Sequence, residues 1–353
     1  MVRIGIVGCN YGRLVLLPAF RLDPRCEVVA LAGRDAARTA ELAGAANIPR
    51  AFGNWEQLVE HPDVDAVAIA TIPSLQPSIA IRALELGKPV FAEKPMAADL
   101  AGAEAMTRAA ETSGRTTTVD FNFSEVLAWR KAKALLDQGA IGRLRHVEVN
   151  WNVENYGTRM RLKNWKTLGA GGGGVLGNFV SHCFHYLEWF CGPIVGMSTR
   201  LSGLPDEPAM ETNAGISMMF RSGAAGNLAM SCASYLGSGH RLEFYGEDGT
   251  LTLVNDTTDY MRGFRLNVGY RPASSMTPIE VVDEVDLAFP SDGRIAPVSR
   301  LAAAFLDGVE RGQMTSASFV QGLRVQVLLD IARRANDLGR WFKTGPGIME
   351  RRL

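Results

Sequence analysis

Residues 1–17 read MVRIGIVGCNYGRLVLL. An apolar run, Arg3 to Val7, enters a turn at Gly8 and leaves it in a helix-like stretch from about Gly12 to Leu22. A strand, a glycine turn and a helix in that order can seat a dinucleotide when the turn reads G-x-G-x-x-G. Here Gly8 holds the first glycine position, Asn10 the second and Arg13 the third, with Tyr11 and Gly12 between them. Two readings follow. In one, this is a variant phosphate turn, with pyrophosphate against the free N–H groups and positive dipole of the helix start. Gly8 then makes the tight turn, Asn10 tolerates an unusual backbone angle, and Gly12 shares the close-packing role. In the other it is an ordinary strand-to-helix turn.

The residues that follow favour the first reading. Further strand-like runs are Glu27–Ala32, Asp65–Thr71, Lys88–Lys94 and Thr116–Asn122. Helix-like stretches separate them, such as DAARTAELAGAA from Asp35 and the segment after Asp99, an N-cap residue. Strands alternating with helices predict a doubly wound parallel sheet with its ligand beyond the strands' carboxyl ends. After residue 122 the pattern changes. A helix ending near Gly139 is followed by the alternating strand RLRHVEVNWNV, a Gly-rich stretch and an apolar helix. The segments GISMMF, GNLAMSCASY, HRLEFYG and GTLTLVN then predict a mainly antiparallel sheet with helices on one face, before two helices over Val298–Phe342. The expected fold class is α/β, with domains at 1–122 and 123–353.

Composition narrows the function. An apolar fraction of 47% with 21% charged residues is that of a soluble globular chain. Lys plus Arg equals Asp plus Glu at 37 each, so no nucleic-acid partner is expected. No apolar run is long enough to span a bilayer, and no signal-peptide pattern is visible. Five scattered cysteines without C-x-x-C spacing suggest reduced thiols and a cytoplasmic setting.

The second strand ends VALAGRD. NAD sites usually place an acid at its end for the ribose 2′-OH, whereas NADP sites supply arginine. Gly33 occupies the acid's position, Arg34 follows, and Arg38 lies one helical turn on. This favours NADP, with NAD as the alternative. Arg34 is equally readable as a solvated side chain beside a capping Asp35. Farther on, Glu93-Lys94-Pro95 closes a strand. A lysine there suits polarisation of a substrate oxygen in a partly dry cleft.

AEKP after an apolar strand, DAVAIAT-x-P upstream, ALELGKPV between them, GAIGRL downstream and SFVQGLRVQVLLDIARRA near the end resemble the Gfo/Idh/MocA oxidoreductases. The resemblance implies an N-terminal NAD(P)-binding Rossmann domain. It also implies a C-terminal α/β domain with a large open-faced sheet, often used to form dimers or tetramers, and chemistry on hydroxyl or keto groups of sugars and cyclitols. It implies Lys94 and His182 as catalytic residues. It places Gly8, Asn10, Tyr11, Gly12, Gly33, Arg34, Arg38, Thr71, Pro73, Gln76, Glu93 and Lys94 about the cofactor. Asn122, Trp165, Asn178 and His185 would meet the substrate. The family's GGG-x-L-x-D-x-G-x-H here reads GGGGVLGNFVSH, with Asn178 for the aspartate and Val180 for the glycine. Asparagine can orient His182 but cannot stabilise its charge. Gln76 stands where the family often has histidine.

Positions 178, 182 and 185 fall at i, i+4 and i+7, one helix face that is either an active-site stripe or a solvated one. Zinc on His182, His185 and Glu188 has loose spacing and no further ligand, so no metal is expected. The leading expectation is hydride transfer between nicotinamide and a carbinol carbon, with Lys94 polarising the oxygen and His182 moving the proton. The rivals are an NAD-dependent glycosidase with transient redox chemistry and a non-catalytic dinucleotide or sugar sensor.

Overall fold

The computed structural model describes residues 1–169 and 171–344. The chain forms two compact units, one of Met1–Glu125 with Ala288–Gln326, the other of Val126–Leu287 with the chain from Val327 on. The first crossing lies three residues beyond the boundary expected at 122/123. The return of 288–326 to the first unit was not foreseen, because an amphipathic helix shows that it buries a face, not which partner it buries it against.

In the first unit, β1 (Val2–Val7) leads through a π-helical turn (Gly12–Leu16) into α1 (Leu17–Arg21). Then come β2 (Cys26–Ala32), α2 (Ala36–Ala45), β3 (Arg50–Phe52), α3 (Trp55–Glu60) and β4 (Ala66–Ile69). They are followed by α4 (Gln76–Glu85), β5 (Val90–Ala92), α5 (Leu100–Ser113) and β6 (Thr117–Val119). The strands form one parallel sheet in the order β3-β2-β1-β4-β5-β6. The order reverses between β1 and β4, which is the ligand-binding crevice of such a sheet. Sequence reading missed β3, whose three residues, none of them buried, carry no periodic signal. Asp35 and Asp99 both cap their helices, accepting from Arg38 N and Gly102 N at 3.0 and 2.8 Å.

The returning segment completes this unit. Phe20, Phe91 and Phe305 meet edge to face at centroid distances of 5.5, 5.9 and 6.4 Å, each pair worth about 0.5–1.5 kcal/mol beyond area burial. Val298, Leu301, Ala302 and Leu306 join the same core. The stretch after that helix covers β6, the sheet's edge. Ala317 O accepts from Val119 N at 2.7 Å, Thr117 O accepts from Thr315 Oγ1 at 2.9 Å, and Phe319 N donates to Thr117 Oγ1 at 3.2 Å. An edge so occupied cannot recruit a foreign strand.

In the second unit α6 (Leu127–Asp137), β7 (Leu144–Asn152) and α7 (Tyr156–Arg159) precede a Gly-rich loop. A second π-helical turn, Leu176–Val180, then opens α8 (Ser181–Cys191). Seven strands follow: β8 (Ile194–Leu204), β9 (Glu207–Phe220), β10 (Ala225–Ser231), β11 (Gly239–Gly246), β12 (Gly249–Asn255), β13 (Arg265–Tyr270) and β14 (Thr277–Ile279). α9 (Glu284–Ala288) follows them; α10 (Ile295–Arg311) and the start of α11 (Phe319–Leu338) belong to the first unit, and β15 (Phe342–Lys343) closes the described chain. The nine-stranded sheet runs β14-β13-β12-β11-β7-β10-β9-β8-β15, and β7 with β10 is its one parallel pair among the described residues. Burial alternates along β9 and β10. Ile216, Met218, Leu228 and Met230 are buried, while Ser217, Met219, Asn227 and Ala229 point the other way and are exposed in this chain. That is the period of a half-buried sheet.

Truncating Phe305 to alanine removes the ring shared by two of the three aromatic contacts. It is expected to cost about 3–5 kcal/mol of stability, read from urea unfolding. A loss under 1 kcal/mol would show that the returning helix is not a working part of this core.

Candidate functional site

The first unit's site is built on the turn between β1 and α1. Gly8 has φ +122°. A Cβ there would also collide with the Ala70 carbonyl, just beyond β4. Glycine is therefore required twice, by conformation and by close approach. Gly12 is buried, and a Cβ on it would come within 2.6 Å of Ile6 Cγ2. It takes the helix-to-strand packing role of the third glycine in the motif. Asn10 is exposed and is not among the left-handed non-glycine residues, which are Asn47, Arg161 and Leu236. No unusual backbone angle is asked of it, contrary to the reason given above for its place in the turn.

At the end of β2, a Cβ on Gly33 would lie 2.5 Å from Cys9 Sγ and 2.6 Å from Thr39 Oγ1. Thr39 is held there by its own bond to Asp35 O, at 2.6 Å. An acid at 33 would have to displace both neighbours. Arg34 and Arg38 are exposed, and neither guanidinium has an ion pair or hydrogen bond among the described residues.

Beyond β4, Thr71 is partly exposed, whereas Pro73 is buried. Gln76 is 0% exposed, and its Nε2 donates to Glu93 O at 2.9 Å and to Pro95 O at 2.8 Å. It was expected to touch cofactor or substrate through its amide. Instead it pins the main chain on both sides of Lys94, and the buried Pro73 shapes the loop beside it. Lys94 and Glu93 are half-buried, and the Lys94–Pro95 peptide is cis. Asn122, expected to meet substrate, is 3% exposed and donates from Nδ2 to Tyr11 Oη at 3.4 Å. Tyr11 in turn donates to Asp120 Oδ2 at 2.8 Å, and the Arg294 guanidinium lies 5.4 Å from the Tyr11 ring centre. Asp120 was missed by sequence reading. The available signal was the acid inside VDFNF, immediately past the end of β6.

In the second unit, the Gly-rich loop needs its glycines. Gly171, Gly172 and Gly174 have φ of +78°, +78° and +64°, and a Cβ on Gly173 would overlap the Trp165 carbonyl oxygen. Glu211 lies against Gly169 and Gly174 and forms an ion pair with Arg333. Trp165 is half-buried, with Lys166 Nζ 5.7 Å from its ring centre. The loop leads into the π-helical turn that carries Asn178, and His182 follows in the first turn of α8, 5% exposed. Such turns recur at functional sites. His185 is partly exposed, yet desolvation lowers its pKa to about 3. With its pKa so lowered, the imidazole is neutral near pH 7. Tyr186, beside it, shares a 3.0 Å hydrogen bond with His240 Nε2, and His240 stacks on Trp151 at 4.2 Å. Burial likewise lowers the His240 pKa to about 3. No group of three or more His, Cys, Asp or Glu side chains able to hold a metal occurs among the described residues. No described helix is long and apolar enough to cross a membrane.

Residues 2–121 match the family model described as the oxidoreductase family, NAD-binding Rossmann fold, and residues 129–252 match the GFO/IDH/MocA C-terminal domain. The chain belongs to the Gfo/Idh/MocA oxidoreductase family. An uncharacterised oxidoreductase of Synechocystis sp. is 30% identical over 96% of this chain and 95% of its own. The 1-carboxy-3-chloro-3,4-dihydroxycyclohexa-1,5-diene dehydrogenase of Comamonas testosteroni is 28% identical over 72% of this chain and 62% of its own. A levoglucosan dehydrogenase solved with NADH and levoglucosan superposes with a TM-score of 0.86 at 20% identity, over 97% of this chain and 99% of that one. As a Gfo/Idh/MocA protein the chain is an oxidoreductase with an NAD-binding domain.

Two desolvated histidines, His185 and His240, make stability depend on pH. Each is neutral in the fold, with its pKa lowered from 6.5 to about 3. Their contribution is complete above 6.5 and is lost as pH falls towards 3, because the unfolded chain takes up protons that the fold refuses. Each histidine adds a slope of about 1.4 kcal/mol per pH unit in that window. Urea unfolding at several pH values should show His240→Gln with a shallower acid slope than the parent. Equal slopes would mean that His240 is not the buried neutral group described here.

Proposed function

We propose that the protein is an NADP-preferring dehydrogenase or reductase acting on a hydroxyl or keto carbon of a sugar-like or cyclic polyol substrate. The end of β2 carries the cofactor preference. Gly33 leaves no room for the ribose-binding acid without moving Cys9 and Thr39, and Arg34 and Arg38 stand exposed and unpaired among the described residues. Planar guanidinium groups suit a 2′-phosphate. The turn itself fits a dinucleotide, since Gly8 brings the backbone against Ala70 and leaves no side chain in the crevice.

The bound nicotinamide supplies the hydride chemistry. Lys94 places a positive charge at the substrate oxygen and favours its alkoxide form. Gln76 fixes that lysine's main chain from both sides. His182 moves the hydroxyl proton, an assignment that follows the family pattern, with Asn178 orienting it without adding charge. His185, being neutral, serves as a hydrogen-bonding group, and Trp165 as an aromatic wall for a ring-shaped substrate. The substrate class rests on the dihydroxycyclohexadiene and levoglucosan dehydrogenases named above. A homo-oligomer joined through the open face of the nine-stranded sheet, working in the cytoplasm, completes the reading.

Fluorescence titration should show NADPH binding more tightly than NADH. Arg34→Ala should weaken NADPH by about tenfold or more and leave NADH little changed. Comparable or tighter NADH binding by the parent would overturn the preference. On a panel of polyols and carbonyl compounds, Lys94→Ala should lower kcat by about 10²–10³. Undiminished turnover would remove Lys94 from the mechanism.

A further inference from the structure

Two carboxyls, Glu93 and Asp120, meet near Lys94, each with one oxygen sealed from solvent. Asp120 is 1% exposed. Its Oδ2 accepts the Tyr11 hydroxyl at 2.8 Å, while its Oδ1 is sealed from solvent and meets no N–H or O–H donor. Glu93 presents the matching half. Its Oε2 accepts the Lys94 backbone N–H at 3.2 Å, and its Oε1 is likewise sealed and without a donor. An unsatisfied buried carboxylate oxygen is costly, and two in one site more so. Two neighbouring carboxylates in a desolvated site do not both ionise. A proton on one of them supplies the missing donor for the other.

We propose that Glu93 and Asp120 share a single proton, forming a carboxyl pair of one negative charge that faces Lys94, with Asp120 a positioning residue for that lysine. Burial, and then the neighbouring Glu93 charge, hold the Asp120 carboxyl well above the usual carboxylate range. The other groups facing Asp120 are accounted for. Tyr11 donates to it, which lowers its proton affinity, and the Lys94 charge does the same more weakly. Arg294, over the Tyr11 ring, is already paired with Asp292. The pair also links the two motifs. Tyr11 belongs to the turn after β1, Glu93 and Lys94 to the end of β5, and Asp120 to the end of β6. The main chain of the first motif is thus tied to the charge state of the second through one hydroxyl and one shared proton.

The inference rests on reading Lys94 as the group that polarises substrate oxygen, but its test does not use turnover, so the two fail separately. Infrared spectroscopy of the purified protein should show the C=O stretch of a protonated carboxyl at neutral pH. Asp120→Asn should abolish that band, and Glu93→Gln should make it disappear at a lower pH than in the parent. Absence of the band in the parent, its survival in Asp120→Asn, or an unchanged titration in Glu93→Gln each overturns the shared proton. The positioning role is read from the pH midpoint of Lys94 acetylation by acetic anhydride, followed by mass spectrometry. Asp120→Asn keeps one negative charge on the pair, so its midpoint should move far less than that of the double variant Glu93→Gln/Asp120→Asn. The double variant should fall by about one pH unit or more. If the single variant lowers the midpoint by half or more of the double variant's shift, Asp120 is an ionised counter-ion and the proposal is wrong. If the double variant moves nothing, the pair does not act on Lys94. Thermal unfolding of each variant confirms that a folded protein is being measured.

Discussion

The first unit is organised by how closely the main chain at Gly8 approaches the carbonyl of Ala70. That approach joins the exits of β1 and β4, the strands between which the sheet reverses its order. With a side chain at 8, the turn would have to lift away from β4, and Gly12 would lose its place against Ile6. A π-helical turn then absorbs the geometry of a tight entry before Pro18 sets the first turn of α1.

The sequence is strongest where periodicity and a steric demand coincide. Parallel strands are buried on both faces and read as continuous apolar runs, so β1, β2, β4 and β5 were legible from composition alone. Asp35 and Asp99 announced their helices by capping chemistry. In the GGGG run the structure uses three glycines for left-handed backbone and the fourth for close approach. The segments that escaped detection were short or half-exposed. β3 has three residues and β14 three, β13 carries only two inward apolar residues, and β8 mixes polar and apolar residues too evenly for a clear alternation.

Site residues separate along a different line. Residues whose role is set by local backbone, such as Gly8, Gly12 and Gly33, could be placed by counting from a strand end. Residues whose role depends on a partner far along the chain could not. Gln76 seemed a ligand contact because of its position in a loop, yet its partners are carbonyls 17 and 19 residues away. Asp120 lies 109 residues from Tyr11, and nothing local marks their meeting. The desolvation that lowers the His185 pKa to about 3 likewise comes from the packing around it and not from its neighbours in sequence.

The return of residues 288–326 to the first unit has a consequence during synthesis. When the ribosome has made residue 125, all six strands of the parallel sheet exist, but Phe20 and Phe91 lack Phe305 and the edge of β6 is bare. The missing helix emerges only after the whole intervening sheet unit. At about 5–20 residues per second this leaves an open sheet edge and an incomplete core for roughly ten to forty seconds. The first unit thus completes its core only as the last part of the chain appears.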